Sequence, residues 1–478
     1  MSYNKILIAA MDAFKQNLED FCQKSDVELD SLNEKTLSTM TQGLMNAAQA
    51  AGQAGLSQFL SDHDTFQSTL SCNGKKYRFK GTSPNDILTL FGTISIDRAM
   101  YYNENDGGEC LFPLDRAIGM CKDDFATLET RDMILFASSS LIPQELYELL
   151  NKCSMCRPSR TAIQNIINKD GAQLELLRDE IAKNVLDDQK APENTQAIVA
   201  SLDGVNVLLR EPGKKKGRKN TRPIKSVDNG ATELSPTSYH NAMVGSVSYY
   251  GVTKENKAQR FSSIYTARMP EEKAPIFKHD FERLVTQTSD NIDMSGNDLH
   301  KVLLVDGHLM IKGFAEKSAV LKPFTKLIDF YHTTEHLSKA AEAIFGAKSS
   351  QAQWWYTKWR QALKQDEKAP WKIVLSMKGY ASRYKLSPKR QKGLKTEITF
   401  FAKNKKHMSY VDFLEKGLPI GSGPIEAAAK SIVKQRMCRS GMRWSREKGQ
   451  YVLSVRAYVK SGMWNRVWEQ YKSLKKAA

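Results

Sequence analysis

The chain has 478 residues, 41% of them hydrophobic, and a formal net charge of +17. That length suits roughly three domains of ordinary size, the composition is that of a soluble globular protein and not of a low-complexity chain, and the lack of any run of 18 apolar residues gives no candidate membrane span. Seven irregularly spaced cysteines predict reduced thiols, and acids and amides early in MSYNKILIAAMDAFKQNLEDFC speak against a secretory signal, so a cytoplasmic, nucleoid-associated protein is expected.

Residues 1–65 show helical periodicity in ILIAAMDAFKQNLEDF and in the Ala-rich LMNAAQAAGQAGLSQFL. KKYRFKG and TLFGTISIDRAMYY have strand composition, and the intervening SPND reads as a turn. Residues 1–125 are therefore expected to form a mainly helical region with a small β patch. From Thr127 to Lys169 the pattern is helical again, with Pro143 opening IPQELYELLNK and Ser159 capping SRTAIQNIINK after the turn NKCSMCRP. Two short helices joined so tightly predict a helix-turn-helix DNA-binding domain over 126–185. Ile163, Ile166 and Ile167 would be buried, leaving Arg160, Thr161, Gln164 and Asn165 for a DNA groove. A plain αα-hairpin is the alternative.

The polar, proline-bearing VLDDQKAPENTQ marks a linker at 186–197. Strand patterns follow in AIVASLDGVNVLL, NAMVGSVSYYG and RFSSIYTARM, then a helix in EEKAPIFKHDFERLV, then strands KVLLVDG and KLIDFYH. This alternation predicts an α/β sheet covered by helices over 198–334. Residues 335–416 read as an all-α insertion carrying Trp354, Trp355, Trp359 and Trp371. Residues 417–478 supply a final core helix and basic C-terminal helices.

The positive charge is localised. Lys214 to Lys225 holds seven basic residues and no acid, and Ala427 to Ala478 holds 13 basic against 2 acidic, so the rest of the chain is close to neutral. Charge confined to two segments points to a phosphate-facing surface, although a solvated loop plus an amphipathic tail would look the same. On the DNA reading Lys214, Lys215, Lys216, Arg218 and Lys219 contact phosphates, as do Lys430, Lys434, Arg436, Arg439 and Arg443.

Asp203 and Asp306 each follow a strongly apolar strand, and Glu426 opens a helix in SGPIEAAAKSIVKQRM. Each has a plainer reading. Asp203-Gly204 is also a turn signal, and an acid in the first turn of a helix offsets its dipole. If the first and fourth strands of the sheet are neighbours, the two aspartates share one edge and Glu426 completes a cluster. Three carboxylates together call for hard cations, Mg²⁺ or Mn²⁺, most simply two ions, and not for zinc. Cys153 and Cys156 form a C-x-x-C, but Cys110 and Cys121 would have to converge on it from far away, so no zinc is expected.

SLDG (201–204), LLVDGH (303–308), DFYHTTEHL (329–337) and GSGPIEAAAKSIVKQRMCRSGMRWS (421–445), with FPLD at 112–115, resemble bacterial insertion-sequence transposases of the ISKra type. The resemblance implies an RNase H-like DDE catalytic core with a helical insertion, and Asp203, Asp306 and Glu426 as the catalytic, metal-binding triad. Asp329 and His332 are similar to the Asp/Cys-x-x-His signature of Mutator-like and hAT-related transposases, where they would support the site. They could equally pair with each other at a strand end, neither is taken as a metal ligand, and His336 and His308 carry less signal still. Relatives place a C-x-x-C before FPLD where this chain has only Cys110. Trp354, Trp355 and Trp359 are core residues or, more sharply, base-stacking ones.

The expected function is a DNA transposase that binds the terminal inverted repeats of its element and cuts and joins strands, acting on double-stranded DNA as at least a dimer. A noncatalytic, domesticated DNA-binding regulator and an RNase H-like nuclease are the alternatives.

Overall fold

The computed structural model describes residues 2–25, 32–103, 109–120, 124–210, 238–292, 299–305, 309–421 and 423–477. The chain forms two compact units, Met1–Gly171 with Lys475–Ala478, and Ala172–Leu474.

The first unit opens with α1 (Ser2–Lys24) and α2 (Glu34–His63), which pack along each other. Asn33 starts α2 by accepting the Thr36 amide on its side chain at 2.9 Å. Strands β1 (Thr69–Cys72), β2 (Lys75–Thr89), β3 (Gly92–Asn103) and β4 (Glu109–Leu111) then make an antiparallel sheet in chain order. Here SPND is no turn: β2 runs straight through Ser83–Asp86, with Pro84 opposite Asp97. Proline is tolerated because β1 pairs only with Lys75–Arg78, so at Pro84 the other edge of β2 needs no amide. Ile87, Ile94 and Ile96 of this sheet form a core with Leu60 of α2.

After α3 (Pro113–Ala117) come α4 (Leu128–Ser138), α5 (Pro143–Cys153) and α6 (Arg160–Leu176). Ile163, Ile166 and Ile167 are all 3% exposed or less, so the apolar stripe read from the sequence is the buried face of α6. A buried ion cluster ties α4 to α6. Arg131 bonds Asp170 through Nε at 2.8 Å and lies 3.6 Å from Asp124, which also accepts Lys169 at 2.8 Å.

The second unit begins beyond residue 171 with α7 (Arg178–Asp187) and holds β5 (Ala197–Leu208), β6 (Tyr239–Val252), β7 (Ala258–Arg268), α8 (Pro275–Asp290), β8 (His300–Val305), α9 (Leu309–Lys317) and β9 (Thr325–Ile328). The sheet order is β7-β6-β5-β8-β9, with β6 antiparallel to both neighbours and β5, β8 and β9 parallel. This mixed α/β arrangement is compatible with an RNase H-like core. Strand β6, between β7 and β5, is buried over ten consecutive residues, as expected for a strand covered on both faces. Gly245 of β6 has no Cβ because the Phe281 ring of α8 lies where one would project.

Helices α10 (Phe330–Phe345), α11 (Ser350–Ala362), α12 (Ala369–Arg383), α13 (Pro388–Asn404) and α14 (Tyr410–Glu415) follow β9. Next comes a helix in three parts, α15 (Gly423–Ala428), a π-helical stretch (Ala429–Lys434) and α16 (Gln435–Met437). Two helices end the chain, α17 (Arg446–Lys460) and α18 (Trp464–Ala477).

Two local readings change. β5 does not turn at Asp203-Gly204 but continues through them, Asp203 pairing with Val244 of β6. KLIDFYH is a strand only to Ile328, because Asp329 accepts the His332 amide at 2.5 Å and so caps α10.

Candidate functional site

Asp203 projects from the middle of β5, where its Oδ1 accepts the Gly204 amide at 2.7 Å. Glu426 lies in the first turn of α15, exposed, 223 positions further along the chain. The two line one cleft of about 790 Å³ together with Gly423, Ala427, Ala429, Lys430, Lys434 and Gln435. The cleft thus joins two carboxylates to two ammonium groups, and among the described residues neither His nor Cys lines it. Gln435 had no distinguishing signal in the sequence.

Asp306 lies outside the described residues. The parallel ladder between β5 and β8 pairs residues 103 positions apart, Ser201 with Leu304 being one pair, and 103 positions also separate Asp203 from Asp306. From β8 to β9 the offset is 23, as between Val305 and Ile328, and Asp329 follows Ile328 directly. Asp329 itself is fully buried as the α10 cap. His332, one turn into α10, gives its backbone amide to the Asp329 carboxylate, and its ring Nε2 lies 3.2 Å from His336 Nε2. Among the described residues no three His, Cys, Asp or Glu side chains converge as a metal set.

The helix bearing Glu426 is irregular where it lines the cleft. In an α-helix residues four apart advance by about 40° around the axis, so Glu426, Lys430 and Lys434 would drift off one face. The wider π turn at Ala429–Lys434 takes back part of that advance, and all three line the cleft. The buried Arg456 of α17 holds the distortion by donating Nε–H to the Ser431 carbonyl at 2.8 Å.

The basic residues divide. Lys430, Lys434, Arg439 and Arg443 are exposed. Arg436, expected among them, is 1% exposed with its guanidinium 5.0 Å from the Trp444 ring centre, because the helix turns that position into the core. Lys214, Lys215, Lys216, Arg218 and Lys219 lie outside the described residues, but the ends of that segment do not. The Leu209 amide donates to Ser238 O at 3.0 Å and the Arg210 amide to Trp444 O at 2.8 Å. The entry to one basic segment is therefore stitched to the other, two stretches 234 positions apart in the sequence.

The tryptophans also divide. Trp355 is 1% exposed and donates Nε1–H to Ser376 Oγ at 3.1 Å, so it is a core residue and cannot stack on a base. Trp359 is half-buried against it. Trp354 is 58% exposed, with Lys358 Nζ 5.2 Å from its ring centre, in a surface cleft of about 650 Å³ on α11. On α6, Arg160, Thr161 and Asn165 are exposed and Gln164 is half-buried; Arg160 bonds Gln144 of α5 at 2.9 Å. Of the C-x-x-C pair, Cys153 is exposed, whereas burial pushes the Cys156 thiol up to about 11.

No family model matches the chain, and no curated protein matches it. Among solved structures, the Drosophila P element transposase strand transfer complex is similar at 11% sequence identity over 75% of this chain and 84% of that chain, with a TM-score of 0.25. At that score the similarity carries no argument about this chain.

Proposed function

We propose that the chain is a DNA transposase of the ISKra type, with Asp203, Asp306 and Glu426 as its carboxylate triad. The observation that carries the reading is the shared cleft: two acids from distant parts of the chain meet beside Lys430, Lys434 and Gln435. The ladder offset of 103 between β5 and β8 supports Asp306 as the third acid. Carboxylate oxygens suit a hard cation, so Asp203 and Glu426, with Asp306, would hold Mg²⁺ or Mn²⁺. When bound there, such ions supply charge neutralisation and Lewis acidity for phosphoryl transfer.

The chain's own groups do the rest. Lys430 and Lys434 hold the DNA backbone across the cleft, Gln435 offers hydrogen bonds to phosphate oxygens, and Arg439 and Arg443 extend the basic surface. Helix α6 reads the terminal repeats in a helix-turn-helix with α5, through Arg160, Thr161, Gln164 and Asn165. Helices α10–α14 form the insertion into the core, with Trp354 positioned for base stacking, and pairing two element ends requires at least a dimer.

The deciding experiment incubates purified protein with labelled DNA from the element's ends, with and without Mg²⁺. Asp203→Asn and Glu426→Gln should each abolish cleavage and joining while leaving end binding within about twofold, as expected for changes that act on the reaction and not on DNA affinity. Undiminished cleavage by Glu426→Gln would remove Glu426 from the triad.

A further inference from the structure

Residues His332-Thr333-Thr334-Glu335-His336 fit H-x-x-E-H, a spacing that sets two imidazoles four positions apart on one helix face. In α10 both rings turn the same nitrogen toward each other, His332 Nε2 and His336 Nε2 being hydrogen-bonded at 3.2 Å. Two nitrogens bound to one tetrahedral zinc at about 2.0–2.1 Å each are about 3.3–3.4 Å apart, so the pair already has the bite of a chelate.

The surroundings hold that bite in place. His336 Nδ1 is 2.6 Å from Oε2 of Glu397, a 6% exposed carboxylate on α13, and the ring stacks on Phe400 with centroids 3.6 Å apart. A carboxylate on Nδ1 keeps the proton there and presents the Nε2 lone pair, the outer-shell pattern of metal-binding histidines. The helix start is fixed as well: Asp329 caps it, and Thr333 Oγ1 lies 2.7 Å from the Tyr410 hydroxyl, which donates to Ile328 O at 3.0 Å. The His332 and His336 side chains are 32% and 17% exposed, so an ion can reach them.

We infer that His332 and His336 bind a divalent transition-metal ion of the zinc class through their Nε2 atoms, with Glu397 as the outer carboxylate. The site is separate in chemistry from the Asp203–Glu426 cleft, since imidazole selects zinc, copper or nickel over magnesium. It does not depend on the proposed DNA chemistry. With two protein ligands among the described residues, water fills the remaining positions.

The test titrates the metal-depleted full chain with Zn²⁺ alone, in excess Mg²⁺, and counts bound zinc. Wild type should bind one zinc more than His332→Asn or His336→Ala, whose affinity at this site should fall by about 100-fold or more. Glu397→Gln should weaken that zinc by about 10–100-fold, an effect of an outer-shell partner. Circular dichroism confirms that each variant is folded, and His332→Asn, at a part-exposed position, keeps the test open should His336→Ala unfold. Equal zinc in wild type and both histidine variants, or displacement of the zinc by Mg²⁺, would overturn the inference.

Discussion

Asp203 lies inside a strand, and this decides how it should be substituted. Its Oδ1 accepts the Gly204 amide, a bond that asparagine can also accept, so Asp203→Asn removes the charge and keeps the local structure. Its unfolding free energy should stay within about 0.5 kcal/mol of wild type in urea titration, as usual away from disrupted packing. The tryptophans allow the opposite contrast. Trp355→Ala should cost about 3–5 kcal/mol because it empties a buried site, while Trp354→Ala should leave stability nearly unchanged and weaken DNA binding. Nothing in the run of basic residues in the sequence separates Arg436 from Lys434 or Arg439. Only the packing of Trp444 and the helix face does so, and both depend on contacts with distant residues.

Elements were legible in proportion to how local their causes are. The apolar stripe of α6 and the strand patterns of β5, β6 and β8 follow from periodicity, and the structure holds them where periodicity puts them. Pro84 inside β2 was not legible, because its tolerance depends on β1 being too short to pair there. Nor was the π-helical stretch, whose cause is Arg456 on a helix 25 positions away. Arg456→Ala should let that stretch relax toward α-helix and turn Lys430 and Lys434 away from Glu426. We expect DNA cleavage to fall by about tenfold or more, with a stability loss of about 1–3 kcal/mol from the lost charge-assisted hydrogen bond of Arg456, both read on the same preparation. In the first unit, Arg131→Ala leaves Asp170 and Asp124 buried without their guanidinium and should cost about 3–5 kcal/mol by chemical denaturation.

For the whole molecule, the net charge of +17 favours a polyanion, but only the cations that face phosphate set how binding responds to salt. If Lys430, Lys434, Arg439 and Arg443 face phosphate, replacing each with Gln should lower the slope of log affinity against log salt by about one. Arg436→Gln should leave the slope unchanged, since its guanidinium is buried. The clustering of positive charge was visible in the sequence; the contact of Arg210, at the entry to one segment, with Trp444 in the other was not, because it is made by a backbone bond. Among the described residues no helix is long and apolar enough to cross a membrane.

Those backbone bonds also have a use at the bench. Because Leu209 and Ser238 are hydrogen-bonded neighbours at the end of the β5–β6 ladder, the chain leaves and rejoins the sheet at one point. The chain after Arg210 and before Ser238 can be excised and a short Gly-Ser turn spliced in with a small loop-closure cost, since the ladder already brings the two ends together and the Arg210–Trp444 bond is kept. Such a shortened protein should lose several lysines' worth of grip on polyanions, and its melting temperature, read beside that loss, would divide scaffold from grip in a single deletion.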